Sequence, residues 1–284
     1  MNPSGRPLLL SWSSGKDSAW ALHELRRDPR WSVAGLLCTV NAAHDRVAMH
    51  AVRRRLLELQ ARAVGLPLRI VEIPDPCTDA DYAAAMGAAM AAARDDGIEA
   101  MAFGDLFLED IRAYREHKLA PTGLEAVFPL WGRDTTALSR EMLAGGLCAR
   151  LTCVDARVCP PGFAGRDYDA ALLDALPPGV DPCGENGEFH SFVWDGPMFD
   201  VPVPVHRGEV VERGGFVFAD LLPGPEEVPS PCVGDCTLRP WRGPGPPTCK
   251  GCERNLDEIV GWPRFDDETR RAVWRRLRGV PRGG

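Results

Sequence analysis

The stretch that constrains this chain most is Leu8-Leu9-Leu10-Ser11-Trp12-Ser13-Ser14-Gly15-Lys16-Asp17-Ser18. An apolar run ends in a small, polar, glycine-bearing turn. A helical pattern then starts at about Ser18 and carries Trp20, Ala21, Leu22 and Leu25 on one side. Strand, tight turn and helix N-terminus in that order form an anion site, because unpaired backbone N–H groups and the positive helix end converge there. Lys16 adds a mobile cation, and Ser13, Ser14 and Ser18 add hydroxyl donors. Phosphate is the natural guest. A kinase-type loop would need Gly five positions before the Gly-Lys pair and Ser or Thr directly after it. Leu10 and Asp17 stand there instead, and no Gly-x-Gly-x-x-Gly dinucleotide fingerprint follows the strand.

Around this loop, β-like and helical runs alternate to about residue 156. The pattern predicts strands over 8–12, 32–40, 68–73, 99–104 and 149–155, with a weaker one over 126–130. It predicts helices over 18–27, 46–64, 79–95, 109–119 and 134–144. In the second of these Val47, Val52, Leu56, Leu59 and Val64 share a side, and Gly65 follows as a stop. Such alternation implies an α/β fold, a parallel sheet with helices on both faces and ligands at the carboxyl ends of the strands. The anion loop lies at such an end. Later strand ends also deliver polar residues: Thr39, Asn41, His44, Arg46 and His50, then Gly104-Asp105 with Arg112 and Glu116. Taken singly these read as caps or solvated faces; Asp105 could cap the next helix, and Arg112 with Glu116 makes an i,i+4 pair. Their shared position at strand ends is what draws them together.

Residues 157–222 change character and predict a smaller α+β region. A short helical pattern over 167–176 leads to the acidic loop 181–188, with Asp181, Glu185 and Glu188, and then to β-runs over 189–193, 201–205 and 210–218. Carboxylates near a triphosphate need Mg²⁺ or basic partners, and one of them could accept a proton from an attacking amine. A Pro/Glu-rich linker over 221–231 precedes a third unit, residues 223–284, where Cys232, Cys236, Cys249 and Cys252 stand as two close pairs twelve residues apart. Each pair can pinch two corners of a tetrahedral metal site, so Zn²⁺ is expected there, with an iron–sulfur cluster as the alternative. A segment as poor in apolar residues as 239–247 would draw its stability from the metal. A terminal helix over 266–278 carries Arg270, Arg271, Arg275, Arg276 and Arg278. These could touch RNA or an acidic partner, although a solvated face is the simpler reading.

At 284 residues the chain exceeds one typical domain, and its net charge of −7 argues against wholesale nucleic-acid coating. No apolar run reaches membrane-spanning length and the N-terminus lacks a signal-peptide layout, so a cytoplasmic protein is expected. Ten cysteines without an export signal then read as reduced thiols or metal ligands. Nothing in the sequence bears on oligomeric state.

The loop Ser13-Ser14-Gly15-Lys16-Asp17-Ser18 resembles that of the ATP pyrophosphatases, the PP-loop enzymes, with Ser14 in place of the usual first Gly. Gly104-Asp105, Arg112, Glu116, Gly123 and Pro129-Leu130-Trp131 resemble the diphthine–ammonia ligase family within that group. So does Asp181-Pro182-Cys183-Gly184-Glu185-Asn186-Gly187-Glu188-Phe189-His190-Ser191, and Arg46-Val47-Ala48-Met49-His50 resembles a segment of bacterial members. The likeness covers about residues 6–222. It implies a HUP-like nucleotide-binding domain over 1–156, a substrate region over 157–222, and a ligase that adenylates a carboxylate and lets ammonia or an amine displace AMP. On that reading Ser13, Ser14, Gly15, Lys16, Asp17, Ser18, Thr39, Asn41 and Gly104 bind ATP. Lys16, Asp17, Asp105, Glu116, Glu185 and Glu188 serve catalysis with Mg²⁺. The acceptor is a small-molecule or protein carboxylate. Two other readings stay open: an RNA-sulfurating enzyme with Cys183 as sulfur carrier, and a non-catalytic ATP sensor.

Overall fold

The computed structural model describes residues 5–47, 51–225, 228–240 and 245–279. The expectations placed on Ala48, Met49, His50, Glu226, Glu227 and Trp241-Arg242-Gly243-Pro244 lie outside the described residues. In chain order the elements are β1 (Arg6–Ser11), α1 (Lys16–Arg27), β2 (Trp31–Asn41), β3 (Arg46–Val47), α2 (Arg54–Val64), β4 (Leu68–Ile73), α3 (Asp79–Asp95), β5 (Ala100–Ala102) and α4 (Glu109–Leu119). There follow β6 (Glu125–Val127), α5 (Thr135–Ala144), β7 (Cys148–Asp155), α6 (Ala170–Asp174), β8 (Phe189–Asp195), β9 (Val205–Arg213), β10 (Phe216–Pro223), α7 (Leu256–Gly261) and α8 (Asp267–Gly279).

The first sheet runs β3-β2-β1-β5-β6, with β4 also paired to β2. Every pairing is parallel except that of the two-residue β3 with β2. Because side chains alternate along a strand, Leu8 and Leu10 pack into one core with α1, α2 and α5, while Leu9 packs into the other with Met90, Ala93 and Leu119 of α3 and α4. Helices therefore cover both faces, as the alternation of runs implied. Local chemistry explains the bounds of the helices. Thr78 and Asp81 form a capping box at the start of α3, Asp134 caps α5, and Gly65 ends α2 in a left-handed conformation with φ 69°.

Three expectations are corrected. The helix predicted over 46–64 begins only at Arg54. Val47 pairs with Val40 in β3, Ala51 has φ 54°, and the Val47 N–H donates to the Val52 carbonyl. Both valines are buried, which mimics helical periodicity without a helix. The run 210–218 is two strands, β9 and β10, turned at Gly214-Gly215, and 201–205 buries Val201 and Val203 in irregular backbone. The strand predicted over 149–155 is not in the parallel sheet; as β7 it joins a second, antiparallel sheet ordered β8-β7-β10-β9.

The terminal unit rests on the α/β body through residues of α8. Arg278 of α8 pairs with Asp195 at 2.6 Å and donates to the carbonyls of Gly196 and Asp200, each at 3.1 Å. Arg275 lies 3.6 Å from Asp200; within the unit itself, Arg276 pairs with Glu258 and the Trp274 indole donates to the Pro229 carbonyl. With Arg270, which donates to the Trp262 carbonyl at 3.4 Å, four of the five arginines expected on a solvated or RNA-facing surface are engaged within the protein. Among the described residues no helix is long and apolar enough to cross a membrane.

Candidate active site

The turn after β1 lies at the carboxyl end of the sheet and opens into a cavity of about 220 Å³. It is lined by Ser13, Gly15, Lys16, Asp17 and Ser18 from the loop, by Gly104, Asp105 and Arg115 from the β5 side, and by Glu185 and Ser191 from the second unit. Two segments far apart in sequence therefore close on one loop. The Lys16 N–H donates to Ser191 Oγ at 3.2 Å, and the Val193 N–H donates to the Ser14 carbonyl at 3.0 Å. Ser18 Oγ donates back to the Gly15 carbonyl and lies 3.1 Å from Ser13 Oγ.

Lys16 is 2% exposed. Its Nζ donates to both carboxylate oxygens of Asp17, at 2.7 and 2.9 Å, and to the Cys183 carbonyl. Burial works against the ammonium, but Asp17, Cys183 and Glu185 outweigh it and hold its pKa above the ordinary value. Lys16 is a cation at neutral pH.

Ser14 explains why the family likeness has Gly at that place. Its φ is 69°, a left-handed conformation that costs a residue with a Cβ about 1–2 kcal/mol. Its hydroxyl is buried and has no hydrogen-bond partner among the described residues. Ser14→Gly is expected to stabilise the fold by about 1 kcal/mol after glycine's own entropic cost, read as a higher midpoint in urea. A lower midpoint would show that the hydroxyl has a hidden partner.

The acidic loop folds upon itself. Asp181 accepts from the Glu185 N–H, and its own N–H donates to Glu188, which also accepts from Asn186 Nδ2. Glu188 is buried with Oε2 unpartnered among the described residues, and it does not line the cavity. That leaves Glu185 facing the cavity, where the Leu106 N–H donates to it at 2.7 Å. Burial, with Asp17 and Asp105 adding to it against the Leu106 hydrogen bond, raises the Glu185 carboxyl to about 7. A carboxyl poised near neutrality can exchange a proton with an amine.

The remaining residues divide. Asp105 does not cap α4, whose N-cap is Leu108; it holds Arg115 bidentately, at 2.6 and 3.0 Å, over the Phe103 ring. Gly104 is required by contact, since a Cβ there would lie 2.9 Å from the backbone of Asp17 and Ser18. Glu116 is away from the cavity, paired at 2.8 Å with Arg112, which stacks over Phe128 and Trp131. Thr39 lines neither this cavity nor its neighbour, and the Asn41 side chain caps a turn by accepting from the Ala43 and His44 N–H groups. Asn41 does line a second cavity, of about 480 Å³, with Arg46, Arg213, Phe216 and Phe218. His190 lines both cavities. Sequence reasoning gave Arg115, Gln60 and Ser191 no role. Cys183 offers no thiolate: burial pushes its thiol to about 12, and it donates to the Thr135 carbonyl at 3.5 Å.

In the terminal unit Cys249 is buried and donates to the Asp235 carbonyl at 3.1 Å, while Arg254 Nε donates to Cys252 Sγ at 3.3 Å. Neighbouring Cys232 first, and Cys249 and Cys252 after it, raise the Cys236 thiol. Among the described residues, no three of His, Cys, Asp or Glu are grouped so as to hold a metal ion.

A parallel sheet with helices on both faces, whose first strand passes into a helix through this buried lysine-bearing loop, defines a nucleotide-binding fold of the PP-loop ATPase type. Family models place it further. The diphthamide synthase N-terminal domain matches residues 8–124 and the diphthamide synthase C-terminal domain matches residues 134–218. The chain belongs to the diphthine–ammonia ligase family. Residues 230–280 match a model described as a protein of unknown function, DUF1289. The diphthine–ammonia ligase of Danio rerio is 27% identical over 231 residues, 74% of this chain and 90% of that protein. The Homo sapiens ligase is 29% identical over 136 residues, 44% of this chain and 48% of that protein. For the Schizosaccharomyces pombe ligase the figures are 27% over 124 residues, 41% and 20%.

Proposed function

We propose that the chain is an ATP-dependent ligase that adenylates an acceptor carboxylate, releases pyrophosphate, and forms an amide when ammonia or an amine displaces AMP. The observation that carries this reading is the buried Lys16 beside Asp17 in one cavity with Glu185, whose carboxyl sits near neutrality. Ser13, Gly15, Lys16 and Ser18 cradle the phosphates, and Lys16 offsets charge as the α–β bridge breaks. Arg115, held by Asp105, adds a second cation at the rim. A cavity of about 220 Å³ is smaller than the range of about 300–1,000 Å³ usual for small-molecule sites. The nucleoside therefore extends past His190 into the adjoining cavity, towards Asn41 and the apolar faces of Phe216 and Phe218.

Asp17, Asp105 and Glu185 face one cavity, and few carboxylates together with phosphate oxygens are the donor set Mg²⁺ prefers. Bound with ATP, Mg²⁺ would supply charge neutralisation on the phosphates. Glu185 takes the proton released as the amine attacks, which its raised pKa suits. We take residues 1–156 as the nucleotide-binding unit and 157–222 as the substrate unit, with β7, inside the first range, lending a strand to the sheet of the second.

Residues 223–284 form a module whose four cysteines bind Zn²⁺, a reading supported by their two-pair spacing. Metal analysis of the purified chain should find about one zinc per chain, and replacing Cys232 and Cys249 with Ser should abolish it; zinc retained by that variant would refute the site. Sulfur transfer is disfavoured by the buried, high-pKa thiol of Cys183. The ligase reading is tested by supplying nitrogen-labelled ammonium, ATP and fractionated cell extract. Label should enter an acceptor as amide, one for each AMP formed. AMP formed with no amide would overturn it.

A further inference from the structure

Gln60 is 0% exposed on α2, among Leu56, Leu57, Leu59, Ala63 and Val64. An amide so placed persists only when its polar atoms are matched. Its Oε1 accepts from the Trp12 indole N–H at 2.9 Å, while Nε2 donates to the carbonyls of Ser14, at 3.0 Å, and Val193, at 2.6 Å. The partners dictate this orientation, since the indole can only donate and the carbonyls can only accept.

The Ser14 carbonyl is thus gripped from behind by two donors, Gln60 Nε2 and the Val193 N–H, which come from α2 and β8. Across a trans peptide the C=O of one residue and the N–H of the next point in opposite directions. Holding the Ser14 carbonyl away from the cavity therefore turns the Gly15 N–H towards it. That N–H makes a long, 3.4 Å bond to Ser13 Oγ, and Gly15 itself lines the cavity. Ser14 sits in a left-handed conformation that a serine does not keep without such support. We propose that Gln60 is a positioning residue for the phosphate loop, locking the Ser14–Gly15 peptide so that its N–H is presented to a bound phosphate. The inference rests on the cavity's being the ATP phosphate site.

The test is isothermal titration of the full chain, in the presence of Mg²⁺, with pyrophosphate and with adenosine as separate probes. Gln60→Met keeps the length and removes the donors; it should weaken pyrophosphate binding about tenfold while adenosine stays within about twofold. Trp12→Phe removes only the partner of Oε1 and should leave both affinities as in the wild type. Should Gln60→Met fail to fold, Gln60→Leu also removes the donors to the Ser14 and Val193 carbonyls and should show the same split. Wild-type pyrophosphate affinity in the folded variant, or equal loss of both probes through general loosening, would overturn the positioning role. A wild-type chain that binds neither probe would instead overturn the ATP reading.

Discussion

Lys16→Met should lower AMP release by about 10²–10³-fold, the cost typical of removing one preorganised donor from a developing anion. The side chain is 3% exposed and tethered at both ends of its reach, to Asp17 and to the Cys183 carbonyl. It is therefore already ordered before substrate arrives, and on the proposed chemistry little reorganisation is needed when charge develops on the departing pyrophosphate. Methionine fills the same volume, and Asp17, whose side chain keeps 27% of its exposure, can take water from the cavity once its partner is gone. The far-ultraviolet circular dichroism should stay native while turnover collapses. Turnover close to wild type would remove Lys16 from the chemistry.

The second large effect is expected from Gly104→Ala. A Cβ at this position would stand 2.9 Å from the Asp17 carbonyl carbon and the Ser18 nitrogen, and 3.1 Å from the Asp17 oxygen. These are backbone atoms in the first turn of α1, so no rotamer change can relieve the contact. Overpacking of this kind costs about 1–3 kcal/mol. The strain falls on the helix N-terminus that forms the anion site, so ATP affinity should fall together with the urea midpoint. An unchanged midpoint would mean that β5 and α1 can separate freely, which their shared packing argues against.

Both positions are legible in the amino-acid sequence: Lys16 and Gly104 each follow an apolar run at the carboxyl end of a strand. So are α3 and α4, because a capping box and strong helix formers are local signals that tertiary packing did not override. What stays hidden is long-range. Gln60 reads as one polar residue on a helix, and only the closure of β8 over the loop shows that its amide holds Ser14. Arg115 and Arg112 differ by less than one turn, and nothing local says which faces the cavity and which stacks on Phe128 and Trp131. Glu188 and Glu185 belong to one motif, yet backbone hydrogen bonds spend the first on the loop's own shape. For β7, the strand propensity was right and its sheet was not, since pairing partners that lie tens of residues away in β8 and β10 are invisible to periodicity.

The terminal arginines make the same point: in a charge run that looks solvated, Arg275 and Arg278 meet Asp200 and Asp195 and seat the cysteine-bearing unit on the α/β body, while Arg276 pairs with Glu258 inside that unit. Asp195 ends the strand whose Ser191 and Val193 brace the phosphate loop. The module and the loop thereby share one strand.

The central claim is that ATP is cut between its α and β phosphates. The direct measurement is the fate of α-labelled ATP incubated with the protein, Mg²⁺ and acceptor-containing extract. Labelled AMP, with pyrophosphate as co-product, is the predicted result; labelled ADP with orthophosphate would contradict it.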